Sequence, residues 1–255
     1  MLDVSRLFSL EGRTALVTGA SSGLGLHFSR VLHEAGASVV LAARRVDRIE
    51  AEASRLGSRA LAIPMDVADE ASIKRGFDDI AKVHGACDIV INNAGISGKH
   101  FALNMPTQEW DDVLNVNLRA PFLVAREAAQ RLAAQKKPGS IVNIASILGL
   151  RGSLQVSPYM ASKAGLIHLT RSLAIEFARY KIRVNAICPG YFMTEISSDY
   201  LNSDYGKAMV KDVPQRRIGE IDELTVPLLL LASDAGSYMT GSAIVVDGGY
   251  SVNSL

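Results

Sequence analysis

Thr18-Gly19-Ala20-Ser21-Ser22-Gly23-Leu24-Gly25, TGASSGLG, stands between two runs of different period. Residues 14–17 before it are short, apolar and β-branched, as in a buried strand. Residues 23–35 after it repeat their apolar positions at helical spacing. A strand that turns on glycines directly into a helix has a chemical use. The glycines permit a tight turn and a close approach of backbone to a pyrophosphate, whose charge meets the free N–H groups and positive dipole end of the helix. The spacing is G-x-x-x-G-x-G, not the commoner G-x-G-x-x-G. A purely structural turn would use the same glycines, but the position between a first strand and a first helix favours a phosphate cradle. Its candidate contacts are Gly19, Ser21, Ser22, Gly23, Leu24 and Gly25.

The same alternation runs through the chain. Strands are expected at 14–17, 38–42, 60–64, 88–92, 140–145, 183–187 and 243–246, with helices at 23–35, 47–55, 70–83, 107–135, 158–180 and 221–231. This predicts an α/β fold: a Rossmann-type doubly wound parallel sheet of about seven strands with helices on both faces. No repeat or linker interrupts the rhythm, so 1–255 reads as a single domain. Segment 191–219 mixes Ser, Asp, Tyr, Lys and Pro without sustained period, which predicts an irregular substrate loop.

An acid roughly 20 residues past the glycines would hold the ribose 2′-hydroxyl of NAD. Here the second strand ends in Ala43, Arg44 and Arg45. Two guanidiniums suit a 2′-phosphate, so Arg44 is a candidate contact and NADP(H) is preferred over NAD(H). A solvated basic pair is the plainer alternative, but cations at a helix start oppose its dipole unless an anion is near.

A second motif is Ser157-Pro158-Tyr159-Met160-Ala161-Ser162-Lys163. Ser157 suits an N-cap and Pro158 a first helical position, while Leu166, Leu169, Leu173 and Phe177 form an apolar stripe. Tyr159 and Lys163 then share a face at i and i+4. A phenol of pKa about 10 is a poor base at neutral pH, and an ammonium beside it is expected to ease its ionisation.

With these motifs in place the sequence resembles the short-chain dehydrogenase/reductase family in its compact form. NNAG at 92–95, Asn117 in NVNL, Ser146 in IVNIAS, Pro189-Gly190 followed by Thr194, and VDGG at 246–249 occur in that family's order, so the resemblance spans almost the whole chain. It implies that Tyr159 is the acid/base, that Lys163 stabilises the phenolate and holds the nicotinamide ribose, and that Ser146 hydrogen-bonds the substrate oxygen. Asn117 would hold a water linking Lys163 to solvent. Asp66 and Val67 would surround the adenine, and Asn93, Ala94 and Gly95 would line its ribose. Pro189, Gly190, Phe192 and Thr194 would fix the nicotinamide amide. The implied activity interconverts a ketone and a secondary alcohol, with a 3-oxoacyl-thioester reductase and a polyol or sugar-acid dehydrogenase as alternatives within the class. A dinucleotide-binding sensor or scaffold is the non-enzyme alternative, and it would normally lack Tyr159, Lys163 or Ser146.

Composition narrows the rest. Net charge is +1 with few aromatics, so no nucleic-acid partner is expected. No apolar run reaches the roughly 18 residues of a membrane span, and the N-terminus MLDVSRLFSLEGR lacks the pattern of a secretory signal, so a cytoplasmic location is expected. Cys87 and Cys188 have no pairing or metal-ligand spacing and read as buried free thiols. The histidines show no ligand spacing, so no metal is expected. Lys99, His100 and Arg151 flank the expected cleft, with surface solvation favoured over anion binding. The resemblance implies a small carbonyl or alcohol substrate and a homotetramer. Ala125, Ala128, Ala129, Leu132, Phe177 and the closing run 242–255 suit an interface or the chain's own interior equally well.

Overall fold

A computed structural model describes residues 4–195 and 197–253. The first three residues of the N-terminal run, Ile196 of segment 191–219 and the last two residues of the closing run lie outside it. Among the described residues seven parallel strands form one sheet: β1 (Thr14–Thr18), β2 (Ser38–Ala43), β3 (Ala60–Pro64), β4 (Ile89–Asn92), β5 (Gly139–Ile144), β6 (Ile182–Pro189) and β7 (Ala243–Val246). Their order is β3-β2-β1-β4-β5-β6-β7. Chain direction across the sheet therefore reverses between β1 and β4, and a crevice opens there beyond the carboxyl ends of the strands.

The helices are α1 (Val4–Phe8), α2 (Gly23–Glu34), α3 (Val46–Leu56), α4 (Glu70–His84), α5 (Thr107–Leu114), α6 (Ala120–Ala134), α7 (Ser157–Phe177), α8 (Ser198–Asn202), α9 (Asp204–Val210) and α10 (Thr225–Ala232). Strand residues alternate between two interiors. Leu16, Val40 and Ile141 pack with Phe77 of α4, Leu132 of α6 and Leu173 of α7. Ala15, Val17 and Val142 pack on the opposite face with Phe28 of α2, Ile49 of α3 and Leu228 of α10. The strands are apolar on both faces because helices cover both.

All seven expected strands are present, within two residues at each end. Three local expectations change. The helix expected at 107–135 is interrupted at Asn115–Arg119 by a π-type turn, in which the N–H of Ala120 bonds Asn115 O, one residue further back than in an α-helix. Pro121 lies in the first turn of the next helix and has no N–H to offer the carbonyl of Asn117. Ser157 is not an N-cap. The N–H of Met160 closes on Val156 O at 2.9 Å, which places Ser157 inside the first turn.

Segment 191–219 is not wholly irregular, because it folds into α8 and α9 over a small cluster of Leu201, Met209 and Val213. Its two ends meet where Phe192 pairs with Gly219 and the N–H of Gly219 bonds Tyr191 O at 2.9 Å. Ala125, Ala128, Ala129 and Leu132 are at most 5% exposed and belong to the chain's own core.

Candidate active site

The glycine turn after β1 is fixed from the neighbouring strand. Asn93, just past β4, donates from Nδ2 to Thr18 O at 2.9 Å and to Gly19 O at 3.3 Å. The hydroxyl oxygen of Thr18 accepts the N–H groups of Asn93 and Ala94, each at 3.1 Å. Gly19 has φ +67°, a value L side chains rarely adopt. A Cβ on Gly25 would lie 2.4 Å from both Asn93 Nδ2 and Gly19 O, so nothing larger than glycine fits between helix and turn. The side-chain NH₂ of Asn93 is thus committed to the turn.

Ser22 stands before the first turn of α2 in an extended conformation, and its hydroxyl does not cap the helix. It accepts instead from Arg45 Nη2 at 2.5 Å, while Ser21 accepts from Arg45 Nε at 3.0 Å. The leading N–H groups of α2 therefore have no side-chain cap, which suits them to a bound pyrophosphate. These residues fit a dinucleotide. Arg45, not Arg44, is the guanidinium that meets the glycine turn; Arg44 is exposed at the end of β2. Sequence reasoning also missed Glu195, which pairs with Arg45 at 3.0 Å and Arg48 at 2.8 Å. Residues some 150 positions apart carry no local signal of such a contact.

Beyond β3, the carboxylate of Asp66 accepts the N–H of Ala68 at 3.0 Å in a tight turn, and Val67 is buried. Gly95 sits where the crevice meets the buried polar groups: a Cβ there would be 3.3 Å from Asn117 Oδ1 and 3.7 Å from Lys163 Nζ.

At the carboxyl end of β5, Ser146 is 5% exposed and its hydroxyl oxygen accepts the N–H of Leu148 at 3.1 Å. Gly149 lets this turn press on α7, since a Cβ there would lie 2.8 Å from the backbone of Lys163. Tyr159 and Lys163 share the face of α7 turned to this turn. The Ser146 hydroxyl interacts with the Tyr159 phenol in the sense that favours the phenolate, but burial outweighs it and pushes the phenol above its ordinary value. Lys163 Nζ lies 5.5 Å from the Tyr159 ring centroid and donates to Ile144 O at 2.7 Å. Burial lowers this amine to about 8. The phenol of the chain itself is therefore not eased toward ionisation as the i, i+4 pairing suggested; desolvation of both groups is the stronger effect.

Asn117 reaches the same place because the π-type turn redirects it inward. Its Oδ1 accepts the N–H of Ile96 at 2.9 Å, and its Nδ2 donates to Ile96 O at 2.8 Å and to Ser162 Oγ at 3.2 Å. On the far side, Pro189 ends β6 and Gly190 passes so near Asp247 that a Cβ would meet it at 2.7 Å. Phe192 turns its ring into the core. Thr194 lies over Gly23, where a Cβ would be 3.5 Å from Thr194 Cβ, and its hydroxyl is 3.0 Å from Ser197 Oγ. Of the flanking cations, His100 Nδ1 is 2.6 Å from Glu109, which also accepts the N–H of Lys99, while Arg151 stacks on Tyr250 at 3.9 Å. Cys87 and Cys188 are free and buried.

This arrangement, a glycine cradle at the sheet's reversal point and a Ser, Tyr and Lys cluster beside it, defines a nucleotide-dependent α/β oxidoreductase. A family model described as enoyl-(acyl carrier protein) reductase matches residues 19–251. The chain is 37% identical to the 2-dehydro-3-deoxy-D-gluconate 5-dehydrogenase of Escherichia coli K12, over 95% of this chain and 97% of that one. A short-chain type dehydrogenase/reductase from Mycobacterium marinum superposes with TM-score 0.93 at 40% identity, covering 97% of this chain and 99% of that one. A gluconate 5-dehydrogenase from Burkholderia cenocepacia J2315, solved with NADP and tartrate, superposes with TM-score 0.94 at 33% identity, covering 98% and 99%. The chain belongs to the short-chain dehydrogenase/reductase family. It is an enzyme of CH–OH and carbonyl chemistry that binds NAD(P).

Proposed function

We propose that this chain interconverts a small ketone and its secondary alcohol, with NADP(H) preferred over NAD(H) and Tyr159 as acid/base. The observation that carries this reading is the meeting of the Ser146 hydroxyl, the Tyr159 phenol and the Lys163 amine at the end of β5, beside the glycine cradle. The cradle 19–25, with Asp66, Val67 and the backbone of 93–95, would hold the adenosine and pyrophosphate, and Arg45 with Arg44 the 2′-phosphate. Pro189, Gly190, Phe192 and Thr194 would border the nicotinamide. When bound, that group supplies or accepts the hydride.

In reduction, Tyr159 gives its proton to the substrate oxygen as that oxygen gains charge, and the Ser146 hydroxyl donates a hydrogen bond to the same atom. The raised pKa suits this direction, because the phenol is fully protonated at neutral pH. Lys163 lies close enough to stabilise the phenolate left behind. Asn117 holds Ile96 and Ser162 around that amine, beside the path by which the proton is restored. In oxidation Tyr159 takes the proton, and a cationic partner must first lower its pKa.

The whole of 1–255 acts as one catalytic unit in this reading, with 191–219 bordering the substrate. Relatives named for gluconate derivatives favour a sugar acid or similar hydroxy acid, and the half-buried Arg151 beside Tyr250 offers a cation for its carboxylate. Among the described residues no helix is long and apolar enough to cross a membrane, consistent with a cytoplasmic site of action. Exposed Ile175 on α7 and Val245 on the edge strand β7 favour a homotetramer, which light scattering would register as four chains.

The reading is tested by following NADPH oxidation with keto sugar acids, 3-oxoacyl thioesters and simple ketones. A keto sugar acid should turn over fastest. Tyr159→Phe should lower turnover about 10²- to 10⁴-fold while the cofactor still binds; unchanged turnover in that variant would remove Tyr159 from the reaction.

A further inference from the structure

Glu195 is bound in a way a stray surface carboxylate is not. Its two oxygens are divided between two guanidiniums, Oε2 with Arg45 Nη1 at 3.0 Å and Oε1 with Arg48 Nη1 at 2.8 Å. Both arginines stand at the start of α3, where cations oppose the helix dipole and call for an anion. The same Arg45 holds Ser21 and Ser22 of the glycine turn, but those hydroxyls are neutral and leave its charge uncompensated. Glu195 arrives from the opposite wall of the crevice, one residue beyond Thr194. Hydrogen bonds from Arg45 first, then Arg48 and Ser22, hold its carboxyl down at about 2, so it is ionised throughout the working range.

A phosphate monoester brings about −1.5 to −2 charge and three acceptor oxygens to such a site, against −1 and two for a carboxylate. We infer that Glu195 is an internal counter-anion that competes with the cofactor's 2′-phosphate for Arg45, and so sets how strongly this enzyme prefers NADP(H) over NAD(H). A cofactor without that phosphate leaves the Glu195 pairs intact. One that carries it must displace the carboxylate from Arg45, so part of the phosphate's attraction is offset. The inference rests on the NADP(H) reading above and adds to it the residue that limits the preference.

The test uses adenosine 2′,5′-bisphosphate and 5′-AMP, which reach the adenosine end of the crevice but carry no nicotinamide and so do not involve Thr194. Dissociation constants are measured by calorimetry for the intact protein, Glu195→Gln, Arg45→Gln and the double variant. Relief from two exposed ion pairs predicts that Glu195→Gln binds the bisphosphate about 3- to 10-fold more tightly, with 5′-AMP changed by less than about twofold. In the Arg45→Gln background the gain should disappear. An equal shift for both ligands, or a gain that survives loss of Arg45, overturns the competition. If Arg45→Gln weakens the bisphosphate while Glu195→Gln changes nothing, the inference falls and the NADP(H) reading stands. If the intact protein and Glu195→Gln both bind the two ligands equally, the NADP(H) reading falls and takes the inference with it.

Discussion

Lys163 and Arg45 carry the same charge in opposite surroundings, and the contrast separates two ways of placing a cation. Lys163 is 4% exposed, and the partner of its amine is a neutral backbone carbonyl, that of Ile144. Desolvation dominates there and destabilises the ammonium. Arg45 is exposed, shares a carboxylate with Arg48 and binds two hydroxyls besides. Its attachments are numerous, individually weak and open to salt. The buried cation is held in place by the fold, at a cost in stability. The exposed one is held by partners that another anion can replace.

The largest effect expected from this contrast is at Lys163. Its pKa is about 8 in the folded chain and about 10.5 when unfolded, so between these values the unfolded chain binds more protons. Stability should therefore rise with pH across roughly 8 to 10.5, by up to about 3 kcal/mol. Lys163→Met should lose that rise while gaining stability at pH 7, and its turnover should fall at least about 10²-fold. Denaturant melts of both proteins across the window would measure this; an identical pH profile would show that the amine is not held in the way described.

A smaller effect belongs to the glycine turn that Arg45 meets. Gly25→Ala forces a methyl group to within 2.4 Å of Asn93 Nδ2 and of Gly19 O, neither of which is free to move, and overpacking of this kind costs about 1–3 kcal/mol. Thermal unfolding should show that loss, accompanied by weaker binding of NADPH and NADH alike, since the cradle serves both. Smallest is Arg48→Gln, which removes one exposed ion pair at the start of α3 and should change stability by less than about 1 kcal/mol. Any change should shrink as salt rises toward 1 M, where the screening length falls from about 10 Å to about 3 Å. A change indifferent to salt would show that Arg48 acts through packing.

The two regions also differ in how far the amino-acid sequence discloses them. The cradle, Ser146, Tyr159 and Lys163 follow from runs whose period or spacing is local: a strand, a glycine turn, two residues one helical turn apart. The seven strands were legible for the same reason, since each is a short apolar run bounded by turn residues. Glu195 and the contact of Arg45 with the glycine turn were not, because both depend on how three separate strand-to-helix connections converge in space. The helices α8 and α9 are five and seven residues long, too short to display a 3.6-residue repeat. The direction of the Tyr159 shift was hidden as well. Spacing told of the lysine beside it, whereas the controlling factor, burial of both groups, belongs to tertiary packing.

The π-type turn at Asn115–Arg119 has a consequence for how this enzyme can vary. Its extra residue puts α5 and α6 out of phase by roughly 100°, the rotation per residue of an α-helix. Removing one residue would change that phase and swing the Asn117 amide away from its partners. A one-residue deletion here should therefore pull Asn117 away from Ile96 and Ser162 while leaving Ser146, Tyr159 and Lys163 in the chain unchanged.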